Sequence, residues 1–212
     1  MGDRLHFPGS ARSFVLPAAL VLMALTAGGC KRNQTTDLTP LDKAGVWFND
    51  VQQLRDLGLT DAEVQQVAMT KQSGLSDQDC IELVRMAHAR HQPFADGETA
   101  AMLIGSGLDR STVLTLERLN ALGSGAGEAQ AMHLARLSDK IILTVAERRA
   151  AGQASLSGAK IVALQEIGLT EPQLIAEIDR GLTDSGADTM ISQHNVAAAG
   201  HGFVRQSGRR RN

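Results

Sequence analysis

The sequence predicts an all-α protein made of short, repeated helical hairpins. A first observation is a phrase in which a short apolar helix ends at Gly-Leu and a polar capping residue opens the next helix. Near-identical versions of this phrase occupy residues 57–64, 106–113 and 167–174. A second observation is an internal offset of 61 or 62 residues between matching positions. A third is that no β-alternating run of convincing length occurs.

Each part of the phrase has a local physical role. Its glycine suits the left-handed backbone conformation that ends a helix. Thr60, Asp109 and Thr170 can accept hydrogen bonds from the free amides at the next helix start. Glu63 and Gln173 follow three residues after their caps and can complete a capping box. The phrase therefore predicts three boundaries between consecutive helices.

The longer repeat extends these local signals. Ser76 and Ser138 open two further helices, which we expect to run to about residues 91 and 151. Beyond these starts the matching positions keep an offset of 61, as Gly97 and Gly158 do. We interpret residues 46–73 as the second half of a unit, residues 75–122 and 137–181 as two three-helix copies, and residues 123–136 as an extra short helix.

None of the predicted helices is long enough to be stable alone, so their amphipathic faces must stack on one another. Two architectures satisfy this requirement: a compact bundle, or a short right-handed, solenoid-like array of helical hairpins. The predicted helical repeat domain spans residues 46–185. Residues 186–212 are predicted to be a partly disordered basic tail that begins as a helix.

Composition excludes several functional classes. Only 3% of the residues are aromatic, which is unfavourable for sites that stack sugars or nucleobases. The body after residue 30 carries more acidic than basic side chains, so nucleic acid is not an expected partner. Four arginines near the end are candidates for contact with anions or a membrane surface, with a solvated tail as the alternative: Arg205, Arg209, Arg210 and Arg211.

Residues 1–29 have the organisation of a cleaved export signal. Arg4 and Arg12 give a weakly basic start, and an apolar run follows at residues 14–27. A membrane-spanning helix needs about 20 such residues, whereas a signal peptide needs roughly 7–15. Residues 30–45 are mostly polar, and we expect them to form a tether between the membrane and the fold.

The motif Ala27-Gly28-Gly29-Cys30 resembles the lipobox of bacterial lipoproteins. The resemblance covers only the first 30 residues. It implies that the Cys30 sulfur carries a diacylglyceryl group, usually with a third acyl chain, and that Cys30 becomes the mature N-terminus. No cofactor is expected besides this covalent lipid. The family prefers leucine where this chain has Ala27, so ordinary secretion with cleavage near Gly29 is the alternative. Lys31, a non-acidic residue, implies an outer-membrane anchor facing the periplasm.

No residue pattern indicates a catalytic site. The serines at 106 and 124 lack the glycine spacing of a hydrolase elbow. Residues 123–127 lack the lysine of a phosphate loop, and we interpret them as a flexible joint. Cys80 lies on an apolar stripe and is expected to be a buried, inert thiol. His88 and His91 can face the same way on one helix, so they are metal candidates, with a polar helix end as the alternative.

Together these patterns predict a lipid-anchored cell-envelope protein. Its helical repeats are expected to act as an interaction or scaffold module for an unidentified envelope protein, without enzymatic activity. Two other functions are compatible with the sequence. One is a metal-dependent envelope enzyme that uses His88, His91 and an acid from the following loop, Asp96 or Glu98. The other is a carrier that holds a small apolar ligand between its helices.

Overall fold

The computed structural model describes the backbone of residues 36–207 and the side chains of residues 36–198. This part of the chain consists of eleven α-helices and contains no strand, so the all-α prediction is confirmed. The helices are α1 (Thr39–Lys43), α2 (Phe48–Asp56), α3 (Asp61–Gln72), α4 (Asp77–Ala89), α5 (Gly97–Ser106), α6 (Arg110–Arg118), α7 (Leu122–Leu134), α8 (Asp139–Ala150), α9 (Gly158–Glu166), α10 (Glu171–Asp179) and α11 (Asp184–Ser207).

The predicted export signal and Cys30 lie outside the described residues, as do Arg209, Arg210 and Arg211. Arg205 belongs to α11, but its side chain is outside the described part. The expectations of lipidation and of a basic surface contact therefore stay predictions.

The helices pack in two layers. Each odd-numbered helix contacts the next odd-numbered helix from α1 to α11, and each even-numbered helix contacts the next even-numbered one from α2 to α10. The continuous apolar core includes Leu54, Val64, Leu103 and Ile141, all fully buried. Of the two architectures that the sequence leaves open, these contacts fit the array of stacked hairpins.

The array repeats after four helices, and we call α2–α5 (residues 48–106) the first repeat and α6–α9 (residues 110–166) the second. α3, α7 and α11 begin at Asp61, Leu122 and Asp184, so consecutive starts lie 61 and 62 residues apart. α7 therefore occupies the same place in its repeat as α3, whereas the sequence suggested an extra helix between two units. The N-cap residue of α7, Ala121, provides no side-chain hydrogen bond. Because the sequence has no capping signal at this position, it does not indicate that α7 is equivalent to α3.

The predicted helix boundaries are confirmed by their caps. Thr60 forms a capping box with Glu63 at the start of α3, and Thr170 forms one with Gln173 at the start of α10. The Asp109 side chain accepts a hydrogen bond from the Ser111 amide. A residue with positive φ follows each of the first ten helices: Gly45, Gly58, Gly74, His91, Gly107, Asn120, Arg136, Gly152, Gly168 and Gly181.

The fold begins earlier than the sequence predicts. Helix α1 lies inside the expected tether, packs on α3, and buries Leu41 completely. Leu41 and the buried Val46 are separated by polar residues and glycine, so they form no periodic apolar pattern. Residues 36–45 therefore belong to the folded array and not to a tether.

The array ends at α11, which packs on α9. Ala187 is buried there, and Met190 and Ile191 are partly buried. Every described side chain from residue 192 to residue 198 is exposed, so this stretch gains nothing from packing, as expected for the predicted tail. None of the helices in residues 36–207 combines the length and the apolar character that crossing a bilayer requires.

Candidate functional site

The two candidate metal ligands do not point to a common site. His88 Nε2 lies 2.6 Å from Oε1 of Glu63. His91 is exposed and has a φ of 59°, because it is the left-handed residue that ends α4. Gly152 has the same role after α8. Within the described residues, no three His, Cys, Asp or Glu side chains are grouped so that they could hold a metal ion.

Glu63 is the centre of a buried polar network in the first repeat. Its Oε2 accepts hydrogen bonds from the amide and the hydroxyl of Thr60, each at 2.9 Å. Its Oε1 accepts from the Phe94 amide at 2.9 Å and contacts His88. Burial by itself raises the pKa of Glu63, but the hydrogen bonds from Thr60, His88 and Phe94 outweigh it and hold the pKa below its usual value. The carboxylate thus joins α3, α4 and the loop after α4.

A second buried carboxylate, Glu117, lies at the end of α6. It forms an ion pair with Arg90, which also donates to the Glu117 backbone oxygen at 2.8 Å. Burial raises the pKa of Glu117 even though Arg90 opposes the shift, and Asp96 raises it further. The sequence gives no signal for this pair, because its partners are 27 residues apart.

Cys80 is fully buried, as predicted, and within the described residues it is a free cysteine. Burial raises the pKa of its thiol to about 12, and the nearby carboxylates of Asp77 and Asp79 add to this shift. Because a thiol must ionise before it can react as a nucleophile, both the burial and the raised pKa disfavour reaction at Cys80.

A cavity of about 420 Å³ lies between α6, α7 and α8. Apolar side chains, most of them buried, line it together with polar residues, most of which are exposed. The apolar walls are formed by Leu116, Leu119, Ala121, Ala129, Met132, Ile142, Val145 and Ala146, and the polar groups belong to Asn120, Ser124, Glu128 and Arg149.

An ion pair borders this cavity. Arg149 binds both carboxylate oxygens of Glu128, one of them from Nη2 at 3.0 Å. The same guanidinium donates to the Leu156 carbonyl at 2.9 Å and to the Ser155 hydroxyl at 3.2 Å. Burial raises the pKa of Glu128, but the bonds from Arg149 and from the Gly158 amide outweigh it and keep the pKa below its usual value. Both charges are thus neutralised by each other.

The cavity was not predicted from the sequence, and the glycine-rich run beside it was interpreted differently. Residues 123–127 are not a flexible joint but the first part of α7. Gly125 lines the cavity directly, so the run leaves space between α7 and its neighbours. A glycine-rich helix start next to large apolar residues on two flanking helices is the only local signal that could have indicated it.

The outer surfaces of the two layers differ in charge. Helices α3, α5, α7 and α9 contain fewer than half as many charged residues as α4, α6, α8 and α10. We define the odd-layer face by six of the exposed, uncharged residues of α3, α5 and α7: Gln65, Met69, Met102, Gly105, Ala131 and Leu134. Exposed charges on the even helices include Arg85, Arg110, Arg118, Lys140 and Glu147.

No protein-family model matches the sequence, no curated protein matches it, and no solved structure matches its fold.

Proposed function

We propose that this chain is a lipid-anchored protein of the cell envelope whose helical array binds another envelope protein. The proposal combines the export-type N-terminus and lipobox-like motif with a folded part that presents stacked helices. Two acyl chains or more would hold the protein stably at a membrane, whereas one chain would bind only marginally.

The odd-layer face is the observation that carries the interaction role. It combines three exposed apolar side chains, Met69, Met102 and Leu134, with a low density of charge. The charged groups beside it include Glu98, one turn before Met102, and Lys43, which lines a groove together with Met69. Leu134 is 67% exposed. Depletion of charge and enrichment of methionine are typical of the centres of protein interfaces. The charged surface of the even helices lacks this character, so we assign the partner to the odd-layer face and expect it to present an uncharged, apolar segment.

An exposed aromatic pair supports placement beside a membrane. Trp47 and Phe48, at the start of α2, are 70% and 71% exposed. Tryptophan is enriched where proteins meet the interface between lipid and water. The pair follows Cys30 by fewer than 20 residues, so an acylated Cys30 would hold it close to the lipid surface.

Site-specific photo-crosslinking in intact membranes tests both parts of the proposal. A photoreactive residue at Met102 is expected to capture one discrete protein, whereas the same residue at Arg118, on an even helix, should capture little. Met102→Glu should abolish the partner's co-purification, and Arg118→Glu should leave it unchanged.

The anchor has its own readout in the same cells. Cys30→Ala should move the protein from the membrane fraction to the soluble fraction, and intact mass of the wild-type protein should show a diacylglyceryl adduct.

Equal crosslinking from Met102 and Arg118 would contradict the interaction role. An unmodified mass in membrane extracts would contradict the anchor.

A further inference from the structure

The cavity between α6, α7 and α8 has a filled counterpart one repeat earlier. The helix-ending residues with positive φ fix the correspondence between the repeats. Gly58 matches Asn120 and Gly74 matches Arg136, each at an offset of 62 residues. The matched space in the first repeat lies between α2, α3 and α4. It is occupied by three side chains that we call the plug, namely Leu59, Glu63 and Val67, each no more than 4% exposed.

In the second repeat the plug is absent because all three positions hold small residues. Ala121, Gly125 and Ala129 occupy them, and all three line the cavity. Large apolar side chains nevertheless remain on the opposite walls, including Leu116 and Ile142. The loss of side-chain volume at these three positions accompanies a cavity within the size range of small-molecule sites.

The polar rim restricts the charge of any ligand. Arg149 uses four of its five N–H donors on Glu128, Ser155 and Leu156. An anionic ligand at this guanidinium would compete with Glu128, and displacing Glu128 would leave a partly buried carboxylate unpaired. A cationic ligand would displace Arg149 with the same consequence. Asn120 and Ser124 can instead donate to or accept from an uncharged polar group at the rim.

We propose that this cavity binds a small uncharged amphiphile, with an aliphatic body against α6 and α8 and a neutral hydroxyl or amide group at the rim. Burial of the aliphatic body against apolar walls supplies the attraction. The neutral head preserves the ion pair between Glu128 and Arg149. The site is independent of the proposed membrane anchor and of the odd-layer face, so either assignment can fail without the other.

Calorimetric titration of the purified full-length chain with decanol and with decanoate tests the proposal. Decanol should bind with one site per chain, and decanoate should bind at least tenfold more weakly. The variant Ala121→Leu/Ala129→Val restores the bulk of two plug residues and should lose decanol binding at least tenfold. A matched control places the same changes at exposed positions, Ala62→Leu/Ala159→Val, and should bind decanol as the wild type does.

A change at the rim tests the selectivity for a neutral head. Glu128→Gln frees Arg149 and should raise the affinity for decanoate at least tenfold while decanol binding stays within a few-fold. If the filled double variant does not fold by circular dichroism, Ala129→Val alone replaces it. The proposal is overturned if the wild type does not bind decanol, if the filled variant binds it as tightly as the wild type, or if decanoate binds the wild type as well as decanol does.

Discussion

The interior of the first repeat differs from that of the second, although both use the same order of helices. Between α2, α3 and α4 the plug fills the core, and Glu63 ties the helices to the loop at Phe94. Between α6, α7 and α8 the matched positions are small, and the ion pair of Glu128 and Arg149 borders an open cavity. The comparison shows that the stacked backbone of an array tolerates a large loss of side-chain volume in one repeat, because each repeat is held mainly by its neighbours.

The largest expected effect concerns the glycines that open α5 and α9. A Cβ at Gly97 would overlap the backbone carbonyl of Gln66, whereas a Cβ at Gly158 would meet side chains, with Cγ of Glu128 at 2.5 Å and Cγ of Met132 at 3.0 Å. Backbone cannot yield as a side chain can, so Gly97→Ala should lower the free energy of unfolding by about 3 kcal/mol and Gly158→Ala by about 1 kcal/mol. Urea unfolding followed by circular dichroism measures both values.

Gly105 provides the matched control in the same layer. It lies within α5 with nothing near its missing Cβ, so Gly105→Ala should raise the free energy of unfolding by roughly 0.5–1 kcal/mol. Equal losses in the free energy of unfolding for Gly97→Ala and Gly158→Ala would show that the two repeats are equally rigid at this contact. That result would contradict the difference that we infer between the first and the second repeat.

A smaller effect concerns the two buried carboxylates, whose pKa values shift in opposite directions. The pKa of Glu63 is lowered in the folded state, so its stabilisation is complete above the unfolded pKa of about 4.3 and is lost as the pH falls through the folded pKa. Glu63→Gln should therefore lose less stability than the wild type between about pH 5 and pH 3, by on the order of 1 kcal/mol.

Glu117 has a raised pKa in the folded state, so protonation near that pKa stabilises the fold as the pH decreases towards about 4.3. Glu117→Gln should lack this gain, and its stability should fall relative to the wild type when the pH is lowered from about 7 to 5. Urea unfolding of both variants at these pH values gives the comparison. The same pH dependence in both variants would contradict the opposite shifts.

Local sequence signals predicted the helix boundaries well. Thr60, Asp109 and Thr170 act on backbone amides two or three residues away, so their roles depend little on the rest of the fold. The offset of the repeat was also readable, because Gly97 and Gly158 sit at the same contact in the structure. Helix capping is a local pattern and the repeat is a periodic one, and both kinds of pattern can be recognised in a single sequence.

The features that the sequence did not predict depend on distant partners. Glu63 was recognised as a capping residue, but its bond to the Phe94 amide joins residues 31 positions apart. The pairing of Arg90 with Glu117 depends on how α4 packs on α6. The cavity depends on three helices at once, and the glycines of α7 by themselves carry no information about their partners on α6 and α8, so the sequence favours a joint at residues 123–127.

The contrast between a plugged and an open interior is tested most directly by exchanging one residue between the repeats. Val67 and the equivalent Ala129 are both buried, but only Ala129 lines the cavity. Val67→Ala removes packed carbon atoms and should lower the free energy of unfolding by about 2 kcal/mol. Ala129→Val adds carbon atoms to open space and should raise it by about 1 kcal/mol. If urea unfolding gives changes of opposite sign in the free energy of unfolding, the first repeat is filled and the second is open, as we predict. A loss of stability in both variants would show that the second repeat is already fully packed.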